Sequence, residues 1–259
     1  MSLTDFIKQN QPQSNGLLTC ARYAFMPNRL QYCGGPNNEE LFAYNTENVS
    51  DPGLSALLKE FQTLFPYLKL IAESNKIKDV FDARIVEAYW LGNELLENVS
   101  MKRLYSHFVD GLHLKKKLQP KDLELLMGKI PRGAIPHHCF HVLNIYFRTG
   151  HLAVPHTLES MDSCRIGWGK VKKISENDLI VETQRLVYEN NRLKLSETID
   201  KNISFKLLHK SFLQNPTIGD NISYHWGWAC DKITEKQKTN LKKYTQACLD
   251  IANGLTKLN

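Results

Sequence analysis

The segments MDSCRIGWGKV (residues 161–171) and GDNISYHWGWA (residues 219–229) decide the architecture of this chain. The first places a soft thiol, Cys164, at the start of a predicted strand. The second places an imidazole, His225, on a strand that returns toward it. A thiolate and an imidazole that converge suit a borderline-soft metal such as iron. Because the residues between the two segments are predicted to form a small β-barrel, we expect the two side chains to meet.

The region between and after these segments has the pattern of a barrel closed by a helix. Asn190-Asn191 lies between two alternating runs and predicts a two-residue hairpin turn, because Asn tolerates positive φ. Thr234 and Gln237 match a capping box, and Gly254 ends the terminal helix that follows. Short strands followed by one helix are typical of an OB-like barrel. We predict strands at residues 165–174, 179–189, 192–198 and 203–208, with a further strand after residue 219.

Residues 16 to about 150 have helical periodicity instead. Asp51-Pro52 is an N-cap followed by a favoured first-turn proline, and Ser100 can cap another helix. A further helix is predicted to begin after Pro136 and to run to about Phe147. The sequence therefore predicts an α+β protein, with an all-α domain at residues 1–150 and an OB-like barrel with a C-terminal helix at residues 151–259.

Composition narrows the class of protein. The chain has 259 residues, 42% of them hydrophobic and 23% charged, as in globular proteins. The net charge of +6 is scattered and forms no basic stripe, which argues against a nucleic-acid partner. No apolar run is long enough for a membrane helix, and the polar start does not read as a signal peptide. The six Cys form no C-x-x-C motif and predict reduced thiols in a cytoplasmic protein.

The stretch from about Cys164 to Asn253 resembles the small hydrogenase assembly chaperones of the HypC/HupF type. That family begins with a Cys, followed by a short apolar strand that ends in Gly-Lys-Val. It later carries Gly-Asp, an apolar strand, a His, a Gly, and an aromatic-Ala step into a C-terminal helix. The matching positions are, in order, Cys164, residues 169–171, residues 219–220, His225, Gly227 and residues 228–229.

The resemblance implies a role as a carrier. Chaperones of this type hold an iron with carbon monoxide and cyanide ligands, and they work with a larger iron–sulfur partner of the HypD type. They pass the iron to the precursor of a [NiFe]-hydrogenase large subunit. By resemblance, Cys164 and His225 would hold that iron transiently. Arg165 beside Cys164 would favour the thiolate.

A second concentration of possible ligands lies before Cys164. His137 and His141 are one helical turn apart, which is a chelating spacing, and the helix N-terminus favours neutral imidazoles. His156 lies in the linker and could reach back toward them. A second metal at this His cluster is therefore predicted, although a polar, His-rich helix end without metal gives the same pattern. The same stretch also contains His138, Cys139 and His151. A separate patch, which ends in a Gly-Gly-Pro loop, contains Cys20 and Cys33 as further possible ligands.

Three functions follow from these residues. The first is a non-catalytic assembly protein, in which Arg165, Trp168, Trp226 and Trp228 form the partner-binding surface. The second is an enzyme whose helical domain binds non-haem iron or zinc through His137 and His141, with His156 or Glu87 as a further ligand and the barrel as a docking module. The third is a metal-free OB-like module that binds single-stranded nucleic acid through its aromatic residues, and it has the least support from the charge pattern.

Overall fold

Helices fill the N-terminal half of the chain, and the sheets lie in the C-terminal half, as the α+β prediction requires. The computed structural model describes residues 15–145 and 156–254. The predicted caps are confirmed, since the Asp51 carboxylate accepts hydrogen bonds from the amides of Gly53 and Leu54, and the Ser100 hydroxyl accepts one from the Arg103 amide. No helix in the described part of the chain combines the length and apolarity that spanning a bilayer demands.

The helices before the sheet are short and follow each other closely. The helix Met101–Ser106 continues as one turn of π-helix, His107–Gly111, and a 3-10 helix, Glu94–Asn98, precedes it. The α-helices are α1 Gly16–Arg29, α2 Asn38–Glu47, α3 Pro52–Lys59, α4 Leu64–Ser74, α5 Ala83–Trp90, α6 Met101–Ser106, α7 Leu114–Lys117, α8 Pro120–Met127, α9 His138–Asn144 and α10 Leu158–Cys164.

Five strands pair in the order β1-β2-β5-β7-β6, and β6 pairs with β1, so the sheet closes on itself. A separate hairpin, β3 with β4, lies outside this ring. The strands are β1 Gly167–Ile174, β2 Asp178–Thr183, β3 Leu186–Glu189, β4 Arg192–Leu195, β5 Ile199–Ser204, β6 Asn221–His225 and β7 Trp228–Lys232, and helix α11, Glu235–Ala252, follows them.

The predicted single strand at residues 179–189 is wrong, because the chain forms β2 and β3 there. The Arg185 amide donates to the Ser196 hydroxyl, and the Leu186 amide donates to the Asp162 carboxylate. These side chains take the two amides at the break, so the ladder of β2 does not extend into β3. The predicted turn between β3 and β4 is confirmed, since Asn190 and Asn191 have φ of 52° and 60°.

Helix α10 was not predicted, and it changes the place of the key thiol. Thr157 and Ser160 cap each other's backbone amides, which starts a helix in the stretch that the sequence analysis treats as a linker. Ser160 stands at the position where the usual capping box has Glu or Gln, so the motif is not evident from the sequence. Cys164 therefore ends a helix, and β1 begins only at Gly167.

One apolar core joins the two halves of the chain. The larger core cluster contains residues of α1, α4, α5 and α9 together with Trp168, Trp228 and residues of α11. A smaller cluster, which includes Val181 and Ile222, fills the closed sheet. The predicted boundary at residue 150 lies outside the described residues, and the larger core continues across it. Helix α11, predicted as part of the barrel, packs against α9.

At Gly92 the backbone of the helical half lies very close to helix α11. Its φ is +88°, and a Cβ built on it would lie 2.1 Å from Cδ2 of Tyr244 on α11. The Tyr244 hydroxyl donates to the Asn93 carbonyl at 2.9 Å, which holds the ring in place. Any side chain at residue 92 must therefore displace the ring that links α11 to the helical half.

We predict that Gly92→Ala lowers the free energy of unfolding by more than Gly219→Ala does, by a margin of about 1–3 kcal/mol. Gly219 is the matched control because its φ is also positive, +96°, while no atom of the described residues lies within 4 Å of its built Cβ. The control therefore reports the backbone strain alone, and the difference reports the clash with Tyr244. Urea unfolding of both variants measures this difference, and equal losses would contradict the predicted clash.

Candidate metal centre

Three side chains from three elements meet beside the larger core. They are His138 at the start of α9, Cys164 at the end of α10 and His225 at the end of β6. Each offers one possible ligand atom, and these atoms all lie within 4.8 Å of one another. Within residues 15–145 and 156–254, this is the one group of at least three His, Cys, Asp or Glu side chains with such spacing. The predicted meeting of Cys164 and His225 is therefore present, with a third residue added.

Helix α1 orients His225. The Nδ1–H of His225 donates to the Tyr23 carbonyl at 2.7 Å, and its Nε2 has no hydrogen-bond partner among the described residues. Burial lowers the pKa of His225 to about 4, and the carbonyls of Tyr23 and Cys164 oppose the shift. The ring is therefore neutral near pH 7, and its Nε2 lone pair is available for a metal.

Both ring nitrogens of His138 have hydrogen-bond partners. Its Nδ1 lies 3.1 Å from the Tyr89 hydroxyl, and its Nε2 lies 2.8 Å from the Cys164 carbonyl oxygen. The same Nε2 lies 3.9 Å from Cys164 Sγ. Burial lowers the pKa of His138 well below its ordinary value, and the neighbouring His225 adds to this effect. This ring is also neutral near pH 7, which is the form that binds metals.

Arg165 does not act as the sequence predicted. Its side chain is only 1% exposed, and its Nη2 lies 2.8 Å from the Asp162 carboxylate. It also donates to the Gln184 carbonyl. Although burial opposes it, the charges of Arg165 and Lys201 hold the pKa of Asp162 below its ordinary value. A buried guanidinium that is engaged by a carboxylate and a carbonyl presents no exposed surface, so the predicted role of Arg165 as a partner contact is not supported.

A cavity of about 80 Å³ adjoins the three side chains. Apolar side chains such as Phe61, Leu64 and Val142 form much of its wall, and His141, His156 and Cys33 also line it. At its edge the rings of Tyr32 and Trp226 lie 4.6 Å apart. Trp226 has φ +52°, an uncommon conformation for a bulky residue, in a tight turn with Gly227. A cavity of this size accommodates a small ligand beside the three possible metal ligands.

The structure does not bring His137 to His141 and His156. His137 is the N-cap of α9, its Nδ1 accepts from the Cys139 amide, and its ring stacks on Tyr244. Because an N-cap residue has extended backbone, the helical spacing assumed for His137 and His141 does not apply. His141 faces Tyr67 and the cavity, and His156 lies 3.1 Å from the Ser160 hydroxyl. No separate metal group forms from them in the described part of the chain.

The predicted partner-binding tryptophans are mostly buried. Trp228 is 2% exposed and packs against Phe25 and Phe212, and Trp168 is 8% exposed beneath Arg165. Their apolar area therefore belongs to the core rather than to a binding surface. Trp226 is half-buried at the cavity edge. Glu87, the alternative ligand, instead accepts a hydrogen bond from Gln237.

The sequence indicates His138 as a possible further ligand but does not place it with Cys164 and His225. The four-residue helical spacing favours His137 and His141 instead. Only the packing of α9 against α10 brings His138 to Cys164.

Stability should fall as the pH drops below about 6.5, because several His residues are buried in their neutral form. Burial lowers the pKa of His107 and His225 to about 4 and of His137 and His141 to about 3, and it also lowers that of His138. The unfolded chain binds protons at these residues near pH 6.5, whereas the folded chain does not. Each site then costs up to about 1.4 kcal/mol per pH unit until its folded pKa is reached.

Urea unfolding of the metal-free protein between pH 7 and pH 5 measures this effect. We expect the free energy of unfolding to drop by several kcal/mol across this range. His107→Gln should reduce the proton uptake on unfolding at pH 5.5 by about one proton. Unchanged proton uptake in this variant would contradict a neutral His107 in the folded state.

Nearly the whole sequence matches a described family, but that family has no assigned function. No curated protein and no solved structure has significant similarity to the chain. Residues 12–258 match the family of unknown function DUF6390, so the match spans the helices, the closed sheet and the three site residues together. The chain therefore belongs to the DUF6390 family.

Proposed function

We propose that this protein is a metallocentre assembly protein that carries a single iron for a [NiFe]-hydrogenase. Cys164 and His225 are its principal ligands, and His138 is a third. The observation that carries the proposal is the convergence of one thiol and two neutral imidazoles within 4.8 Å of one another. Thiolate and imidazole ligands suit iron, whereas hard cations such as magnesium prefer oxygen.

The surroundings of the three side chains support a carrier of iron with diatomic ligands. Three protein ligands leave part of the coordination sphere open, and the adjoining cavity of about 80 Å³ has mainly apolar walls. Carbon monoxide and cyanide are small enough for this space. The resemblance of residues 164–253 to HypC/HupF-type chaperones points to the same cargo. The closed five-stranded sheet followed by α11 also supports an OB-like barrel as the fold of this region.

The helical half has a defined part in this proposal. His138 and the Tyr23 carbonyl, which orients His225, both come from helices before the sheet. The helical half thus completes the site rather than holding a second metal. The recipient is a hydrogenase large-subunit precursor, and the supplier is an iron–sulfur partner of the HypD type. Trp226 and Tyr32, at the edge of the cavity, are the contact we propose for them.

A metalloenzyme remains the second candidate, because His141 and His156 line the same cavity as the three ligands. In that case a substrate would bind in the cavity, and these imidazoles would move protons. Non-haem iron or zinc would then be a resident cofactor at His138, Cys164 and His225. The ligand set differs from the predicted one, since His137 lies elsewhere.

Infrared spectroscopy on protein purified without oxygen from its own host tests the proposal. We expect equimolar iron with carbon monoxide and cyanide stretches in the wild type. Cys164→Ser should lose both the iron and the bands, because the remaining imidazoles cannot replace the thiolate. Cys33→Ser is the matched control, since Cys33 lines the same cavity but is outside the group of three.

Two results would count against the carrier. Tightly bound metal without these infrared bands would favour the metalloenzyme. Equal loss of iron in Cys164→Ser and Cys33→Ser would show that the assigned ligand set is wrong.

A further inference from the structure

We infer that His138 is a displaceable ligand, which exchanges between the metal and the Cys164 carbonyl as its ring proton moves between nitrogens under the control of Tyr89. The inference deepens the proposed function and rests on the proposed metal site. It concerns the regulation of binding and release, and it does not depend on which diatomic ligands the iron carries. Tyr89 acts through His138, so it is a positioning residue.

The hydrogen bonds define where the ring proton lies without metal. A carbonyl oxygen only accepts, so the 2.8 Å contact requires a proton on Nε2 of His138. Because the buried ring is neutral, Nδ1 then carries a lone pair and accepts from the Tyr89 hydroxyl at 3.1 Å. The nitrogen nearest to Cys164 Sγ is therefore the protonated one, and it cannot bind a metal in this state.

His225 has the opposite arrangement. Its proton lies on Nδ1, because the Tyr23 carbonyl accepts from that nitrogen at 2.7 Å. Its Nε2 is therefore already a lone pair, and no described residue donates to it. His225 is ready for a metal with no change of tautomer, whereas His138 must change. The two imidazoles of the site are thus unequal before any metal arrives.

A metal at Nε2 of His138 requires the ring proton to move to Nδ1. The Nε2–H bond breaks and an Nδ1–H bond forms, with solvent water taking up the first proton and supplying the second. The ring therefore stays neutral, and the imidazole has no net gain or loss of protons. The Tyr89 hydroxyl can accept from Nδ1–H as well as donate to it, because a phenol does both. The hydrogen bond to Tyr89 therefore persists in both states with its direction reversed.

The Cys164 carbonyl gives His138 a hydrogen-bonded position away from the metal. A fixed ligand has no such alternative, so its release leaves a buried polar atom without a partner and costs about 1–3 kcal/mol. The alternative partner at 2.8 Å lowers the cost of releasing His138. Cys164 is consequently both a ligand and, through its backbone, the acceptor that takes His138 off the metal. This arrangement suits a cargo that must be handed over.

The full chain with Zn²⁺ as a diamagnetic probe tests the inference directly. Long-range ¹⁵N–¹H spectra report the tautomer of each His side chain. We expect His138 to carry its proton on Nε2 without metal and on Nδ1 with Zn²⁺. His225 should keep its proton on Nδ1 in both states. An unchanged His138 tautomer on saturation with Zn²⁺ would overturn the inference.

Tyr89→Phe and Tyr67→Phe form a matched pair of variants. Each hydroxyl lies 3.1 Å from Nδ1 of a His that lines the cavity, but Tyr67 contacts His141, which is outside the group of three. Loss of a partner that orients a ligand His typically weakens metal binding by about 10–100-fold. We expect Tyr89→Phe to raise the Kd for Zn²⁺ by about 10-fold or more, and Tyr67→Phe to change it by less than about threefold. Equal effects would overturn the role of Tyr89.

His138→Gln separates a displaceable ligand from a fixed one. This variant should still bind Zn²⁺ but release it to a chelator at least about 10-fold faster than wild type, whereas Cys164→Ser and His225→Gln should not bind. Loss of binding as complete as in Cys164→Ser, or release as slow as in wild type, would overturn the inference. If His138→Gln does not fold, the tautomer spectra and the two tyrosine variants still test whether His138 is displaceable.

The tests of the displaceable ligand can be distinguished from the test of the proposed function. Absence of carbon monoxide and cyanide bands with a positive tautomer test would reject the hydrogenase cargo and leave the displaceable ligand standing. A wild-type protein that binds neither iron nor Zn²⁺ would overturn both.

Discussion

The packing of α1 against β6 and β7 is the interaction on which the rest of this structure depends. Phe25 meets Trp228 edge to face, with ring centroids 5.4 Å apart, and the Tyr23 and Ser223 hydroxyls lie 2.7 Å apart. The Tyr23 carbonyl in the same turn accepts from His225. Burial of large aromatic side chains provides the main driving force for such a contact. The contact that joins the two halves of the core thus also fixes one metal ligand.

Burial gives the site its chemistry. A charged imidazolium is costly in an apolar environment, so burial keeps His138 and His225 neutral. The hydrogen bonds made by their nitrogens then decide which lone pairs are available. The same burial makes the fold sensitive to acid. Arg165 is buried as well, but a buried guanidinium needs a carboxylate as its partner, and Asp162 provides one.

Local sequence rules worked well where the determinants lie within a few residues. The caps at Asp51, Ser100 and Thr234 and the Asn190-Asn191 turn are all present. Each is set by one side chain reaching a nearby backbone group, or by tolerance of positive φ. The rules failed at residues 157–164, where a Ser in place of Glu or Gln completes the capping box of α10. They also failed at residues 184–185, where the amides of Arg185 and Leu186 donate to Ser196 and Asp162 and the predicted strand divides into β2 and β3.

The sequence by itself determined the α+β class and most of the local turns and caps, because these follow from residue type and short-range order. The meeting of Cys164 with His225 could be predicted only through the barrel expected between them. Only the tertiary structure decided that His138 is the third member of the group and that His137 is not. It also decided that Trp168, Trp228 and Arg165 are interior residues. The physical reason is that a side chain's partner, burial and tautomer depend on elements distant in sequence, here α1, α9, α10 and β6, which come together only when their apolar faces form one core.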